Sequence, residues 1–308
     1  MNCSKKLKPS GLLELIAWGR AELSQAGIEE AQEECERILM KLLGCARSGI
    51  YLEEHELIVS GTCERFLTLI EKRLQRVPLA YLLQEVAFGQ ETLYVDERCL
   101  IPRPETEILV EKITAAIKEK VTATQKGTLG DDCPQKGDCH LSFLDIGTGS
   151  GAIAIAILRA FKNTQGTLLD ISGEALEVAH KNLRRYALED RAKQVRGDLF
   201  EPFSNDEKWD LIVSNPPYLS EEDWKGVQEE LKFEPRMSLD GGKDGLNFYR
   251  KIIAGAKDHL FFGGLLALEV GQGQADKVSA WLREAGYDNI QRFNDHLQVQ
   301  RVIMARNL

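Results

Sequence analysis

Apolar positions along this chain change their period twice. From residue 10 to 83 they recur at helical spacing, as Leu12, Leu13, Leu15, Ile16 and Leu23, then Ile38, Leu39, Leu42 and Leu43. Ser10 stands where it can cap the first helix, Gly44 and Gly49 punctuate the run, and residues 63–74 supply another helix that ends before Pro78. Over residues 86–101 the pattern alternates, which predicts a hairpin with Phe88, Leu93, Tyr94 and Val95 as strand residues. Pro102-Arg103-Pro104-Glu105-Thr106-Glu107 closes the hairpin and opens a helix through Ile108, Leu109 and Ile113. Pro104 suits a first helical turn, and the early glutamates favour the positive end of the helix dipole. Residues 119–140 are polar and rich in Gly, Thr, Lys and Asp, and predict a linker or surface loop.

From residue 141 onward strand-like and helix-like stretches alternate. Strands are expected at 143–146, 167–171, 192–196, 209–214, 265–270, 288–293 and 298–305, and helices at 151–162, 173–186, 246–260 and 274–285. Such alternation predicts an α/β fold: a seven-stranded, mostly parallel sheet with helices on both faces. Only a short loop separates the last two strands, so they should form a terminal antiparallel hairpin. The expected organisation is a small helical N-terminal domain (1–85) suited to docking a protein substrate, a linking hairpin, helix and loop (86–140), and a sheet domain (141–308).

Composition narrows the function classes. A net charge of −9 and a pI near 5.3 disfavour a grip on long nucleic acid, which usually needs a basic face. No apolar stretch reaches the roughly 20 residues of a membrane helix, and the N-terminus carries no signal-like apolar core. Seven scattered cysteines form no compact framework, which predicts reduced thiols in a cytoplasm. Cys133, Cys139 and His140 cluster, but their spacing matches no common zinc pattern, so no metal is expected.

The candidate chemistry lies at strand ends. Asn215-Pro216-Pro217-Tyr218 follows the apolar run Leu211-Ile212-Val213. The Asn215 side-chain oxygen and the Pro216 carbonyl can each accept one hydrogen of a planar NH2 group. The two prolines stiffen the turn, and Tyr218 can set a ring against a bound amide or base. Asp145-Ile146-Gly147-Thr148-Gly149-Ser150-Gly151 runs from a strand into a glycine loop and a helix start, where backbone N–H groups are free. Asp170 ends the next apolar stretch and can accept both hydrogen bonds of a ribose diol. Read alone, Gly147-x-Gly149-x-x-Ala152 also fits a dinucleotide fingerprint. Asp145 inside its strand suits a positively charged ligand, and Asp198-Leu199 after a third strand suits an adenine.

Taken in order, these segments resemble the release-factor glutamine N5-methyltransferases (the HemK or PrmC type) among the class I S-adenosylmethionine-dependent methyltransferases. The resemblance runs from residue 101 through the Pro-Arg-Pro-Glu-Thr-Glu run, the Asp145 glycine loop, Asp170, Gly197-Asp198-Leu199-Phe200, the Asn-Pro-Pro-Tyr turn and Gly241-Gly242-Lys243-Asp244-Gly245-Leu246. It spans roughly residues 75–305 and implies a Rossmann-like methyltransferase sheet. It also implies methyl transfer from S-adenosylmethionine to the glutamine of the Gly-Gly-Gln loop in class-one peptide chain release factors. In it, Gly147, Thr148, Gly149, Ser150 and Gly151 line the methionine and ribose of the cofactor. Asp170 holds the ribose, Asp198 and Leu199 flank adenine, Asn215, Pro216, Pro217 and Tyr218 bind the glutamine amide, and Phe88 and Arg103 lie near the cofactor pocket. Leu199 stands where some relatives carry an aromatic ring, so an aliphatic adenine wall is expected. The competing readings are an adenine-N6 methyltransferase acting on DNA or RNA, a ribosomal-protein glutamine methyltransferase, a dehydrogenase, and a binding module that has lost catalysis.

Overall fold

The computed structural model describes residues 11–52, 60–125 and 141–308, and the chain divides into two compact units. One unit runs to Gln84 and includes Gln228–Phe233; the other holds Glu85–Val227 and Glu234–Leu308.

The first unit is helical, with α1 (Leu12–Gln25), α2 (Ala31–Leu43), α3 (Arg47–Leu52), α4 (Ser60–Leu74) and α5 (Leu79–Leu83). Its core gathers the helical-period residues Leu15, Leu23, Ile38, Leu39, Phe66 and Ile70. Gly11 occupies the position before α1, and Ser10, expected there, lies outside the described residues. A buried ion pair crosses the unit: Arg73 donates to both Glu34 oxygens at 2.7 and 3.2 Å and to Glu230 at 3.0 Å. Burying these charges is tolerable because each meets a partner in hydrogen-bonding geometry.

The second unit opens with the hairpin β1 (Val86–Phe88) and β2 (Glu91–Leu93), shorter than the 86–101 pattern predicted. The ladder stops because a side chain takes over: Tyr94 N–H donates to Asn182 Oδ1 at 2.6 Å, and Asn182 Nδ2 donates back to the Tyr94 carbonyl at 2.9 Å. α6 then spans Pro104–Gln125, so Glu119 to Gln125 are helical rather than the start of a loop. No Gly or Pro interrupts that stretch before Gly127, and Ile113 and Ile117 keep the helix seated on the core. Residues 126–140, with Cys133, Cys139 and His140, lie outside the described residues.

Then come β3 (Leu141–Ile146), α7 (Ala152–Ala160), β4 (Thr164–Asp170), α8 (Gly173–Arg185), β5 (Ala192–Arg196) and β6 (Trp209–Ser214). After short 3₁₀ turns follow α9 (Asn247–His259), β7 (Leu260–Glu269), α10 (Ala275–Glu284), β8 (Tyr287–Asn294) and β9 (Gln300–Asn307). The sheet order is β5-β4-β3-β6-β7-β9-β8, parallel from β5 to β7, with β9 antiparallel to both β7 and β8. This is the expected seven-stranded sheet with its terminal hairpin. Successive residues of each central strand face opposite layers. Phe143, Leu168, Leu211 and Ala267 pack under α6, α7 and α8, while Leu144, Leu169, Ile212 and Leu266 pack under α9 and α10. Burial on both faces explains why these strands read as continuous apolar runs. Among the described residues no helix is long and apolar enough to cross a membrane.

The order of strands reverses between β3 and β6, the point where open α/β sheets bind ligands. Ile146 pairs with Leu169 on one side and Ser214 on the other. The residues that follow these three, Gly147, Asp170 and Asn215, therefore leave the sheet at one level.

Candidate active site

A cleft of about 240 Å³ opens at that level, lined by Gly147, Gly149, Asp170, Asp198, Leu199, Asn215, Pro216 and Pro217. Gly147 and Gly149 have φ of 71° and 55°, and no heavy atom lies within 4 Å of where a Cβ would stand on either. A side chain there would be strained and would enter the open space, so glycine keeps both the turn and the room. Asp170 braces the loop: Oδ2 accepts the Gly149 N–H and Oδ1 the Ser172 N–H, both at 2.9 Å. Of the roughly four acceptor sites of a carboxylate, at least one stays open to a ligand hydroxyl. Burial pushes the Asp170 carboxyl up, against the pull of the Ser172, Gly149 and Ile171 amides.

Asp145 lies beneath the loop, fully buried. The Thr148 hydroxyl donates to its Oδ2 at 2.7 Å, and its Oδ1 has no hydrogen-bond partner. Burial pushes this carboxyl up to about 7, opposed chiefly by the Thr148 hydroxyl. Leu199 is held at φ 50°, a left-handed conformation that costs a branched residue about 1 kcal/mol. The aliphatic wall expected from Leu199 is joined by Phe248 and Ile252 of α9, so the cleft does contain an aromatic ring. In the sequence these two merged with the core stripe of residues 246–260.

Asn215 is tied from behind. Its Nδ2 donates to Thr106 Oγ1 at 3.0 Å, and Thr106 in turn donates to Glu269 Oε2 at 2.6 Å. Glu269, at the end of β7, is 1% exposed, and burial pushes its carboxyl up to about 7. The Thr106 hydroxyl opposes that rise. Neither Thr106 nor Glu269 was marked by sequence reasoning as functional. Thr106 sat unremarked inside a helix-start motif, and Glu269 ends an apolar strand with no local signal.

Several expected residues are placed elsewhere. Phe88 is 2% exposed in the apolar core with Leu93, Leu109 and Ile113, and borders a separate groove of about 760 Å³. It therefore does not line the cleft, because its strand position turns it inward. Arg103 is also absent from the lining: it pairs with Glu234, whose other oxygen accepts the Ile101 N–H at 3.0 Å. That pair fastens the strap before α6. Tyr218 packs against the core formed with α9 and α10 rather than lining the cleft, and burial pushes its phenol up to about 12. Thr148, Ser150 and Gly151 likewise turn from the cleft. Thr148 serves Asp145, the Ser150 carbonyl accepts from Asn182 at 2.9 Å, and Gly151 caps α7. The loop thus offers its two cleft-lining glycines and uses the other three residues as support.

Comparison with known proteins gives a consistent picture. Residues 14–83 match the PrmC N-terminal domain, and residues 135–240 match the methyltransferase small domain. The release factor glutamine methyltransferase of Geobacter sulfurreducens is 33% identical over 293 residues, 95% of each chain. That of Thermodesulfovibrio yellowstonii is 35% identical over 278 residues, covering 90% of this chain and 91% of the relative. Among solved structures, the catalytic domain of hMettl16 in complex with MAT2A 3'UTR hairpin 6 shares the fold at a TM-score of 0.53 and 16% identity, covering 80% of this chain and 82% of that one.

Proposed function

The chain belongs to the release factor glutamine methyltransferase family. On that premise we propose that it methylates the side-chain amide nitrogen of the glutamine in the Gly-Gly-Gln loop of peptide chain release factors, in the cytoplasm, using S-adenosylmethionine. The helical unit is the part that docks the release factor in this reading.

The residues present fit that cofactor. Open space stands over Gly147 and Gly149, and the Asp170 carboxylate keeps a lone pair to spare at the rim of the cleft. When bound, S-adenosylmethionine supplies a methyl group activated by a sulfonium. Gly147, Gly149 and Asp170 hold its methionine and ribose, and Asp198, Leu199 and Phe248 flank its adenine.

An amide nitrogen is a poor nucleophile, because its lone pair is delocalised into the carbonyl. The residues of this chain therefore have to orient the nitrogen and favour the charge it gains in the transition state. Asn215 Oδ1 and the Pro216 carbonyl accept the two amide hydrogens and aim the nitrogen at the methyl group. As positive charge grows on nitrogen its N–H groups become stronger donors, so both contacts strengthen when they matter most. Pro216 and Pro217 hold that turn stiff. The methylated amide cation is acidic enough to lose its proton without a dedicated base.

The observation that carries this reading is the direction of the Asn215 side chain. Its NH2 is already engaged by Thr106, which leaves Oδ1 to accept from substrate. Labelled cofactor incubated with a release factor, its Gly-Gly-Gln glutamine variant and duplex DNA tests the proposal. Label is expected on the intact release factor alone, and Asn215→Ala should slow transfer by about 10- to 150-fold. Label on DNA or on the glutamine variant would overturn it.

A further inference from the structure

An asparagine carboxamide can sit in its pocket either way round, and only one way presents an acceptor. Nothing in Asn215 itself selects that orientation. We propose that Glu269 and Thr106 act together as the positioning residues of Asn215, fixing which end of its carboxamide faces the substrate. This deepens the amide-gripping role just assigned and rests on it.

Hydrogen-bond polarity sets the orientation. Glu269 Oε2 accepts the Thr106 hydroxyl hydrogen at 2.6 Å. A hydroxyl has one hydrogen, so Thr106 Oγ1 faces Asn215 purely as an acceptor. It takes the Asn215 Nδ2 hydrogen at 3.0 Å. A flipped carboxamide would set Oδ1 against the Thr106 lone pairs and point an NH2 at the substrate's own NH2, two donors face to face. An ionised carboxylate at the end of the relay thus makes the site an acceptor for amino groups. A protonated Glu269 can instead donate to Thr106, which frees the Thr106 hydrogen for Asn215 Oδ1 and permits the wrong orientation.

The surroundings keep Glu269 near this switch. It is 1% exposed. Burial above all, and then Glu105 at the start of α6, push its carboxyl up, while Thr106, Arg301 of β9 and Asn215 hold it down. The Tyr249 hydroxyl of α9 donates to the Glu269 carbonyl at 3.0 Å, and Tyr218 faces the same region. Loss of the acceptor state follows protonation, so the acid side of the pH profile is where the effect appears.

Thr106→Val keeps the shape of the side chain and removes the relay, whereas Thr106→Ser keeps it. Thr106→Val should lower kcat about 10- to 100-fold with cofactor binding by calorimetry unchanged, and Thr106→Ser should recover most of the loss. Wild-type kcat should fall as pH drops through about 7, and Glu269→Gln should be slow and lack that limb. Wild-type turnover in Thr106→Val, or an acid limb that survives in Glu269→Gln, overturns the proposal. A second measurement needs no substrate. With asparagine-selective 15N labelling, and Asn215→Ala to identify the signal, the Asn215 NH2 should exchange slowly in wild type and quickly in Thr106→Val. Equal exchange in the two would sink the relay even if the methylation assay failed for reasons of substrate, while slow exchange in a protein that labels no release factor would count against the functional reading alone.

Discussion

Asp145 is buried without a full set of partners, and this has a thermodynamic consequence. Its carboxyl is pushed up to about 7 by burial, whereas in an unfolded chain it titrates near 3.9. Between those pH values the folded protein holds a proton that the unfolded chain has released. Unfolding therefore releases a proton, and raising the pH favours it. Stability from this group is full below about pH 4 and is lost as pH rises through about 7, by up to about 4 kcal/mol. In urea titrations from pH 5 to 8, Asp145→Asn should flatten the decline seen in wild type by about 2–4 kcal/mol. Identical slopes would mean that Asp145 is ionised in the folded state at low pH. Residue by residue, legibility followed the kind of chemistry. The places of Asn215, Asp170, Gly147 and Gly149 at the cleft were legible because each stands just after a strand that the apolar pattern marks. Those of Thr106 and Glu269 were not, because they act through Asn215, from positions 109 residues before it and 54 after it in the chain. Phe88 and Arg103 were expected near the cleft by motif, and the structure shows Phe88 packed in the core and Arg103 paired with Glu234.

Among the elements, the turn at 241–246 shows how a motif with no evident chemistry supports the site. Leu219, just beyond the Asn-Pro-Pro-Tyr turn, bridges to Asp240; its N–H donates to the Leu239 carbonyl and its carbonyl accepts from Gly241 N–H. Gln274 ties the two together, donating to the Tyr218 carbonyl at 2.9 Å and to the Gly245 carbonyl at 3.2 Å. Gly245 has φ 71°, and a Cβ there would run into the Tyr218 carbonyl oxygen and lie 2.8 Å from Gln274 Nε2. Gly245→Ala should therefore destabilise the protein by about 2–4 kcal/mol and displace the turn that carries Asn215. The expected readout is a lower urea midpoint together with slower methyl transfer; wild-type values for both would show that the turn can relax without cost. The helices and central strands were legible because periodicity reports burial. The early end of the hairpin at Leu93 was not, since it depends on a side-chain bond from Asn182, and the 3₁₀ turns after Asn215 have no period to detect.

At the scale of the whole sheet, the strand order brings together residues that are far apart in the chain. The glycine loop, the Asp170 carboxylate and the proline turn meet because β4, β3 and β6 are neighbours in register at the switch point. The alternation of strands and helices foretold the sheet, and Gly147, Gly149, Asp170, Asp198 and Asn215, singled out in the sequence, all line its cleft. The reach of α9 into the cleft through Phe248 and Ile252 emerged only from packing. The central claim is that Asn215 Oδ1 and the Pro216 carbonyl form an acceptor pair for a carboxamide NH2. A crystal structure of the protein with S-adenosylhomocysteine and a release factor tests it most directly. The account predicts both oxygens within about 2.7–3.2 Å of the glutamine nitrogen, with that nitrogen facing the cofactor sulfur. A glutamine held with its carbonyl toward Asn215, or with either oxygen directed away from the amide, would contradict it.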